Sequence, residues 1–356
     1  MMKSVKSLLI LGLTLLGAGT LLTGCGVDPS AEDVLFVYNA GEYLDPDVID
    51  LFEEETGIKV VYDEFETNEI MFPKVDADPT QYDVICPSDY MIERMLQNDM
   101  LEPLNYDLLP HAINIDETYY EKSNAFDPGN KYAIPYFWGT VGILYNTEAV
   151  EEEVTGWDVL WNEKYKDEIL MQDSIRDLYI VPLKKLGYSL NSMNENELKE
   201  ATDLLIQQKP LVQAYVVDEV RDKMIGDEAL IGVIYSGEAE ICIEANEKLD
   251  YVIPEEGTNI WIDAWVISQG SRHKEAAHQW IDFLCRADIA AMNFRYVYYS
   301  TPNRACMEEE LDEEELENEI LFPDIDQYEN LETFHYLGKE GDRMYFDYWK
   351  ELKSVY

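Results

Sequence analysis

The sequence predicts an α/β protein built as two lobes. At 356 residues the chain exceeds one ordinary domain of ~100–200 residues and is long enough for two, each with its own core. Apolar runs of strand length alternate with stretches of helical spacing, and the alternation occurs in two successive sets. Hydrophobic residues make up 47% and aromatic residues 12%, which excludes an acidic disordered chain, since such a chain lacks the apolar surface that offsets ordering entropy.

Taken in order, Val34-Leu35-Phe36-Val37-Tyr38 reads as a buried strand. Residues 46–56 follow as a helix with Val48, Leu51 and Phe52 on one face and Gly57 as the stop. Ile58 to Tyr62 is the next strand, and Tyr82 to Cys86 another, leading through Pro87-Ser88 into a helix over 89–97. The second set begins at Ile169-Leu170-Met171. It continues with helices over 174–186, stopped by Gly187, and 198–208, spaced at Leu198, Ala201, Leu204 and Leu205. Leu230 to Tyr235 is a strand, 238–246 a helix, and Trp261 to Ile267 a strand; 274–285 and 288–296 have helical spacing. No internal repeat is evident. Residues 308–319 hold nine acids and read as a solvated helix face or a loop.

Residues 1–24 follow a different pattern. Lys3 and Lys6 precede an apolar run from Leu8 to Leu22 that is broken by glycines and shorter than the ~20 residues a spanning helix needs, so it reads as an export signal. Its end, Leu22-Thr23-Gly24-Cys25, resembles the lipobox of bacterial lipoproteins. That resemblance implies lipidation of Cys25, with 25–33 as a tether to the membrane.

Lys and Arg total 26 against 73 Asp and Glu, a formal net charge of -47. Polyanions such as nucleic acids are repelled by such a surface, so no nucleic-acid partner is expected; a cationic ligand is favoured. Cys86, Cys242, Cys285 and Cys306 form no C-x-x-C pair, which gives no support to a zinc or redox motif. An oxidising compartment permits one or two disulfides, although Cys86 and Cys285 sit in apolar runs that suit buried thiols. The four histidines show no metal-ligand spacing, and the phosphate-loop, dinucleotide, H-E-x-x-H and G-x-S-x-G strings are absent. No cofactor, metal or catalytic residue is therefore expected. Paired carboxylates of a carbohydrate hydrolase remain an alternative, since their spacing in three dimensions is invisible in sequence.

Several strings occur in order along the chain: Val37-Tyr38-Asn39 with Glu42-Tyr43, Glu55 to Val60, Tyr82-Asp83-Val84 with Pro87-Ser88 and Tyr90, Ile134-Pro135-Tyr136 with Trp138-Gly139, Trp157, Leu160-Trp161, Lys185 to Tyr188, Trp261-Ile262-Asp263, and Tyr299 before Thr301-Pro302-Asn303. In these the chain resembles the spermidine/putrescine-binding subunit of polyamine ABC transporters, a branch of the periplasmic substrate-binding proteins. The resemblance implies a type II periplasmic-binding-protein fold, with discontinuous lobes joined by hinge strands. The passages would fall near Gly139-Thr140, Asp263-Ala264 and Pro302-Asn303. Lobe 1 would comprise 34–139 and 264–302, and lobe 2 140–263 and 303–356. It further implies an extracytoplasmic, lipid-anchored monomer that is not an enzyme, with a polyamine ligand and ABC permease subunits as partners. Another solute, such as a quaternary amine, a metal complex or a sugar, is the alternative within the same fold.

A linear polyamine requires carboxylates at its ammonium positions and flat aromatic walls along its methylene stems. Carried over residue by residue, the implied site comprises Tyr43, Ser88, Tyr90, Ser174, Asp177, Tyr235, Trp261, Asp263 and Tyr299. Asp263 would pair with an inner ammonium and Asp177 with a terminal one. Asp177 stands where the family has Glu, Tyr235 where it has Trp, and Ser174 where it has Asp; Asp173 beside it is a compensating candidate. Ala40-Gly41 replaces a Trp-Thr pair, removing one wall, and a late Gln falls near Phe334. Without the resemblance, Tyr90, Trp261 and Tyr299 are ordinary core aromatics, Asp177 is an acid in a helix's first turn, and Asp173 or Ser174 is that helix's N-cap.

Overall fold

The structure is a computed structural model, and it describes residues 33–355. The export signal and Cys25 lie outside the described residues. The strands are β1 (Val34–Ala40), β2 (Lys59–Phe65), β3 (Val84–Ile85), β4 (Leu101–Glu102), β5 (Ala133–Asn146), β6 (Ile169–Gln172), β7 (Val212–Val216), β8 (Ile231–Tyr235), β9 (Leu249–Val252) and β10 (Ile260–Ser268). They join in the order β2-β1-β3-β10-β5-β8-β6-β7, with β4 on β10 and β9 on β5.

Two parallel groups are visible in that order. β1 pairs in parallel with β2 and β3, and β6 in parallel with β7 and β8. Each group is wound with helices, as crossover connections between parallel strands require. Between the groups run two antiparallel strands. β10 pairs with β3 at one edge and with β5 along its length, whereas the later half of β5, from Val141, pairs with β8 and β9. β5 thus begins in one lobe and ends in the other.

Sequence reading missed the full length of β5 because Pro135 interrupts it. Proline donates no ladder hydrogen bond and is tolerated inside a sheet at a bulge. The register here steps from Asp263–Phe137 to Ala264–Pro135, so Tyr136 is the extra residue on β5. Twelve of its residues before Tyr145 are buried, because both faces are covered. Gly139 permits the close layer above it: a Cβ there would lie 2.6 Å from the Trp261 ring and 2.8 Å from the Ser236 hydroxyl.

Most expected helices form within a residue or two of their expected bounds, among them Pro46–Thr56, Asp89–Gln97, Ile175–Lys185 and Lys274–Leu284. The expected strand over 82–86 shortens to β3, and Gly338–Ser354 is an additional long helix. No disulfide forms among the described cysteines. Cys86, Cys242, Cys285 and Cys306 are all free and buried, which extends to Cys242 and Cys306 the buried-thiol expectation held for the other two.

Beyond Asn303, helix Arg304–Glu309 packs on helix Ala287–Val297 through a cluster of Ala290, Phe294, Cys306 and Leu311. Ile320 and Tyr328 then pack against the cluster of Leu144, Leu170 and Ile234, and Glu332 bridges Asn259, its carbonyl accepting from Ile260 N at 3.0 Å. Helix Gly338–Ser354 then packs on Ile175–Lys185 and Glu195–Gln208. At Pro302-Asn303, Asn303 bridges Ile115, and Pro302 O accepts from Asp116 N at 2.9 Å. The acidic 308–319 segment is partly ordered by a capping box at Asp312 and Glu315, with Glu315 paired to Arg295 at 2.6 Å.

Candidate ligand cleft

The expected site residues lie at the C-terminal ends of the parallel strands, where the two groups face each other across β5 and β10. Tyr43 follows β1, Ser88 and Tyr90 follow β3, Ser174 and Asp177 follow β6, and Tyr235 closes β8. Trp261 and Asp263 lie on β10 itself, and Tyr299 follows helix Ala287–Val297. Loops outside the carboxyl ends of strands at a switch in strand order are where open α/β sheets hold ligands.

Helix starts at such a place expose N–H groups and favour anions. Here that tendency is reversed by acids. Asp89, Asp177 and Glu238 occupy the first turns of helices Asp89–Gln97, Ile175–Lys185 and Ser236–Ala245.

Asp263 is the centre of the arrangement. Its Oδ2 accepts the Tyr43 hydroxyl at 2.9 Å, and Ser88 supports its charge from the facing segment, where Ser88 and Asp263 form an isolated antiparallel bridge. Its Oδ1 is shut off from solvent and has no hydrogen-bond partner among the described residues. Loss of water raises its pKa to about 6; Ser88 and Tyr43 oppose the rise, while the Asp177 carboxylate adds to it. Ser88 is itself held at two points, donating its N–H to Asn68 Oδ1 at 3.2 Å and accepting from Asn68 Nδ2 at 2.9 Å.

Asp177 accepts the Tyr235 hydroxyl at 2.9 Å. Burial raises its pKa, against the Ser174 and Tyr235 hydroxyls and the Arg176 guanidinium. Arg176 is fixed by His335 O, Leu190 O and Asn191 Oδ1, and lies 4.3 Å over the Phe334 ring. Ser174 is the N-cap, without a side-chain cap bond. Asp173 is paired with Lys353 and is not a free substitute for the missing acid.

Aromatic edges meet around the two acids. Tyr299 stands edge-on to Trp261 at 5.0 Å and to Tyr43 at 5.6 Å, and Trp261 edge-on to Tyr235 at 6.2 Å. Tyr90 meets Phe334 at 6.2 Å and donates its hydroxyl to Glu69 Oε1 at 2.8 Å. The structure therefore brings Tyr43, Ser88, Trp261, Asp263 and Tyr299 into one contact network, with Asp177, Ser174 and Tyr235 facing it. Tyr90 stands at one mouth, beside Phe334. At Gly41 the wall is open, since a Cβ there would meet nothing within 4 Å.

Sequence reasoning passed over Asn68, Glu69, Arg176, Arg221 and Glu238. Only Glu238 had a sequence signal: it occupies the third position of the helix following β8, as Asp177 does after β6. Among the described residues, no group of three or more His, Cys, Asp or Glu is placed to hold a metal ion, and no helix is long and apolar enough to cross a membrane.

The bacterial extracellular solute-binding protein family matches residues 47–322. The chain belongs to that family. It is 33% identical to the spermidine/putrescine-binding periplasmic protein of Escherichia coli over 343 residues, 96% of this chain and 97% of the relative. A solved spermidine/putrescine ABC transporter substrate-binding protein from Streptococcus pneumoniae is 40% identical, with a TM-score of 0.80 over 91% of this chain and 99% of that one. A Treponema pallidum lipoprotein, at 24% identity and a TM-score of 0.79, shares the fold. The architecture is accordingly the two-lobed type II fold of solute-binding proteins, with discontinuous lobes joined by hinge strands.

Proposed function

We propose that this chain captures a polyamine of the spermidine/putrescine class outside the cytoplasm and delivers it to the permease of an ABC transporter. The observation that carries the reading is Asp263: a carboxylate with one oxygen satisfied by Tyr43 and the other buried without a partner among the described residues, walled by Trp261 and Tyr299. An ammonium supplies the missing donor and the missing positive charge, while the ring faces add cation–π attraction of ~0.5–2 kcal/mol each. Asp177 takes a second ammonium, with Ser88 and Ser174 as polar supports and Tyr43, Tyr90 and Tyr235 completing the walls. Relatives named for spermidine and putrescine binding, matched over nearly the whole chain, support the same ligand class.

The chain binds and releases its ligand unchanged; it is a monomeric carrier rather than an enzyme. Lobe 1, built mainly from 34–139 and 264–302, and lobe 2, built mainly from 140–263, close over the ligand by bending at β5 and β10. Export and anchoring through Cys25 keep the protein at the outer face of the cell membrane, within reach of its permease. The acidic composition attracts the cationic ligand from a distance.

The test is isothermal titration of residues 26–356 with putrescine, spermidine, spermine, glycine betaine and maltose at fixed salt. One-to-one binding of at least one polyamine, with none of maltose, is expected. Absence of heat or of any melting shift with all three polyamines would remove the ligand assignment and leave only the fold.

A further inference from the structure

Ser88 stands at the N-cap of helix Asp89–Gln97, where a serine hydroxyl ordinarily accepts an N–H of the first turn. Here it makes no such bond. Asp89 Oδ1 takes a first-turn donor instead, accepting Tyr90 N at 2.6 Å, and the Ser88 hydroxyl is left for the cleft. Asn68 holds it there. Thr67 caps helix Asn68–Ala77, its Oγ1 accepting from Ile70 N at 3.3 Å, so the Asn68 amide is free to reach Ser88, 20 positions on. The orientation of that amide is fixed by its partner. The Ser88 N–H can only donate, so Asn68 Oδ1 faces it, at 3.2 Å, and Nδ2 is the group that donates to Ser88 Oγ, at 2.9 Å. With an N–H directed into its oxygen, the Ser88 hydroxyl keeps its own proton for another acceptor.

Asp263 is the acceptor opposite. The two residues form an antiparallel bridge, steadied by Ala264 N donating to Pro87 O at 3.2 Å. Directly opposed residues carry their side chains on one face, with Cβ atoms ~4.5–5.5 Å apart. The Ser88 hydroxyl accordingly supports the Asp263 charge, and among the described residues Tyr43, at 2.9 Å, is the other hydroxyl that does so. The remaining titratable groups that bear on Asp263 are Cys86 and Asp89 from Ser88's own segment, Asp177 from helix Ile175–Lys185, and Tyr299; none of them is a cation. With acids on two sides, the ionised form of Asp263 depends on where two hydroxyl protons point.

We propose that Asn68 is a positioning residue of the cleft, which aims the Ser88 hydroxyl at Asp263 and so presents that side chain to an ammonium as a carboxylate. This rests on the polyamine reading. Asn68 acts through Ser88 rather than on the ligand. Its amide is suited to the task because one end accepts and the other donates, so a single side chain fixes both the Ser88 backbone and the direction of the Ser88 hydroxyl.

Asn68→Asp tests this with almost no change of shape. A carboxylate in place of the amide still accepts the Ser88 N–H but cannot donate to Ser88 Oγ, and it draws the hydroxyl proton toward itself and away from Asp263. The ligand is whichever of putrescine and spermidine the unaltered chain binds more tightly, titrated by calorimetry at fixed salt. The variant is expected to bind it about tenfold more weakly at pH 5, with less than about twofold change at pH 7.5. The reason is that an upward move of the Asp263 titration by about one pH unit costs about tenfold only where the group is already protonating. Equal weakening at both pH values would make Asn68 a structural tie alone, and no weakening would equally overturn the proposal. Ser88→Ala separates the hydroxyl from the added charge: in that background Asn68→Asp should shift the profile no further, whereas a through-space effect of the charge would persist and remove the role. The carbon-13 carboxyl titration of Asp263 in the free protein reads the same shift without a ligand. If the unaltered chain binds neither amine, the polyamine reading falls while that titration still decides what Asn68 does; if it binds and neither profile moves, only the role of Asn68 is lost.

Discussion

Asp263 has two opposite pH dependences, one in the free protein and one in binding. Its pKa when folded, about 6, exceeds the ~3.9 of an unfolded aspartate, so the folded chain holds this proton more tightly. Its contribution to stability is therefore full below about pH 4, declines as pH rises through about 6, and is absent above. Ammonium binding runs the other way because it requires the carboxylate. Between pH 7.5 and 5 the dissociation constant of the preferred amine should rise by about tenfold, which titration calorimetry at the two pH values would measure. Asp263→Asn separates the effects. It should cost about 3–5 kcal/mol of binding, because the ammonium then lacks its buried partner, while the melting temperature of the free protein at pH 7.5 stays level or rises. Unchanged affinity in this variant would exclude the assigned role. Tyr235→Phe is a milder change: losing the 2.9 Å bond to Asp177 should weaken binding by about 1 kcal/mol, roughly fivefold, without loss of fold.

At the scale of elements, the site depends on two strands and several helix starts. β5 and β10 carry the lobes' only long shared pairing among the described strands, and the bulge at Asp263 and Ala264 redirects the ladder beside the acid. Gly139 lies under Trp261, so Gly139→Ala would push the indole out of the wall. We expect this variant to fold, to show altered tryptophan fluorescence, and to bind its amine at least about tenfold more weakly; wild-type affinity would show that the wall tolerates displacement. The first-turn acids were visible in the sequence as acids near helix starts. What they face was not, since Asp177 and Glu238 lie 61 positions apart and reach the same cleft only because β6 and β8 are neighbours. Pro135 is the converse case. A proline argues locally against a central strand, and only pairing with β10 shows the bulge that accommodates it.

Across the whole molecule, contacts reach over the cleft at both mouths. Glu42 meets Arg221 at one; at the other, Glu93 accepts from Tyr336 N at 2.9 Å and Arg94 approaches Asp342 at 3.6 Å. Few and partly solvated, such contacts each contribute only ~0–1 kcal/mol, so the ligand's own interactions with both lobes decide how far the molecule closes. Small-angle scattering should show a smaller radius of gyration with saturating polyamine than without. A ligand at one hundred times its dissociation constant should also stabilise the fold by ~2.7 kcal/mol, read as a higher melting temperature. No change in either quantity on saturation would argue against a clamp. Apart from the site residues, which its resemblance to polyamine-binding subunits implied, the sequence by itself determined the alternation of strands and helices and the acidity that excludes polyanions. These follow from local periodicity and composition, which neighbouring residues settle between themselves. Only the tertiary structure decided that Glu332 bridges Asn259, that all four described cysteines are buried thiols, that Asp173 is tied to Lys353, and that Arg221 reaches Glu42. Each of those depends on pairings between distant segments, and such pairings are set by packing rather than by any local pattern.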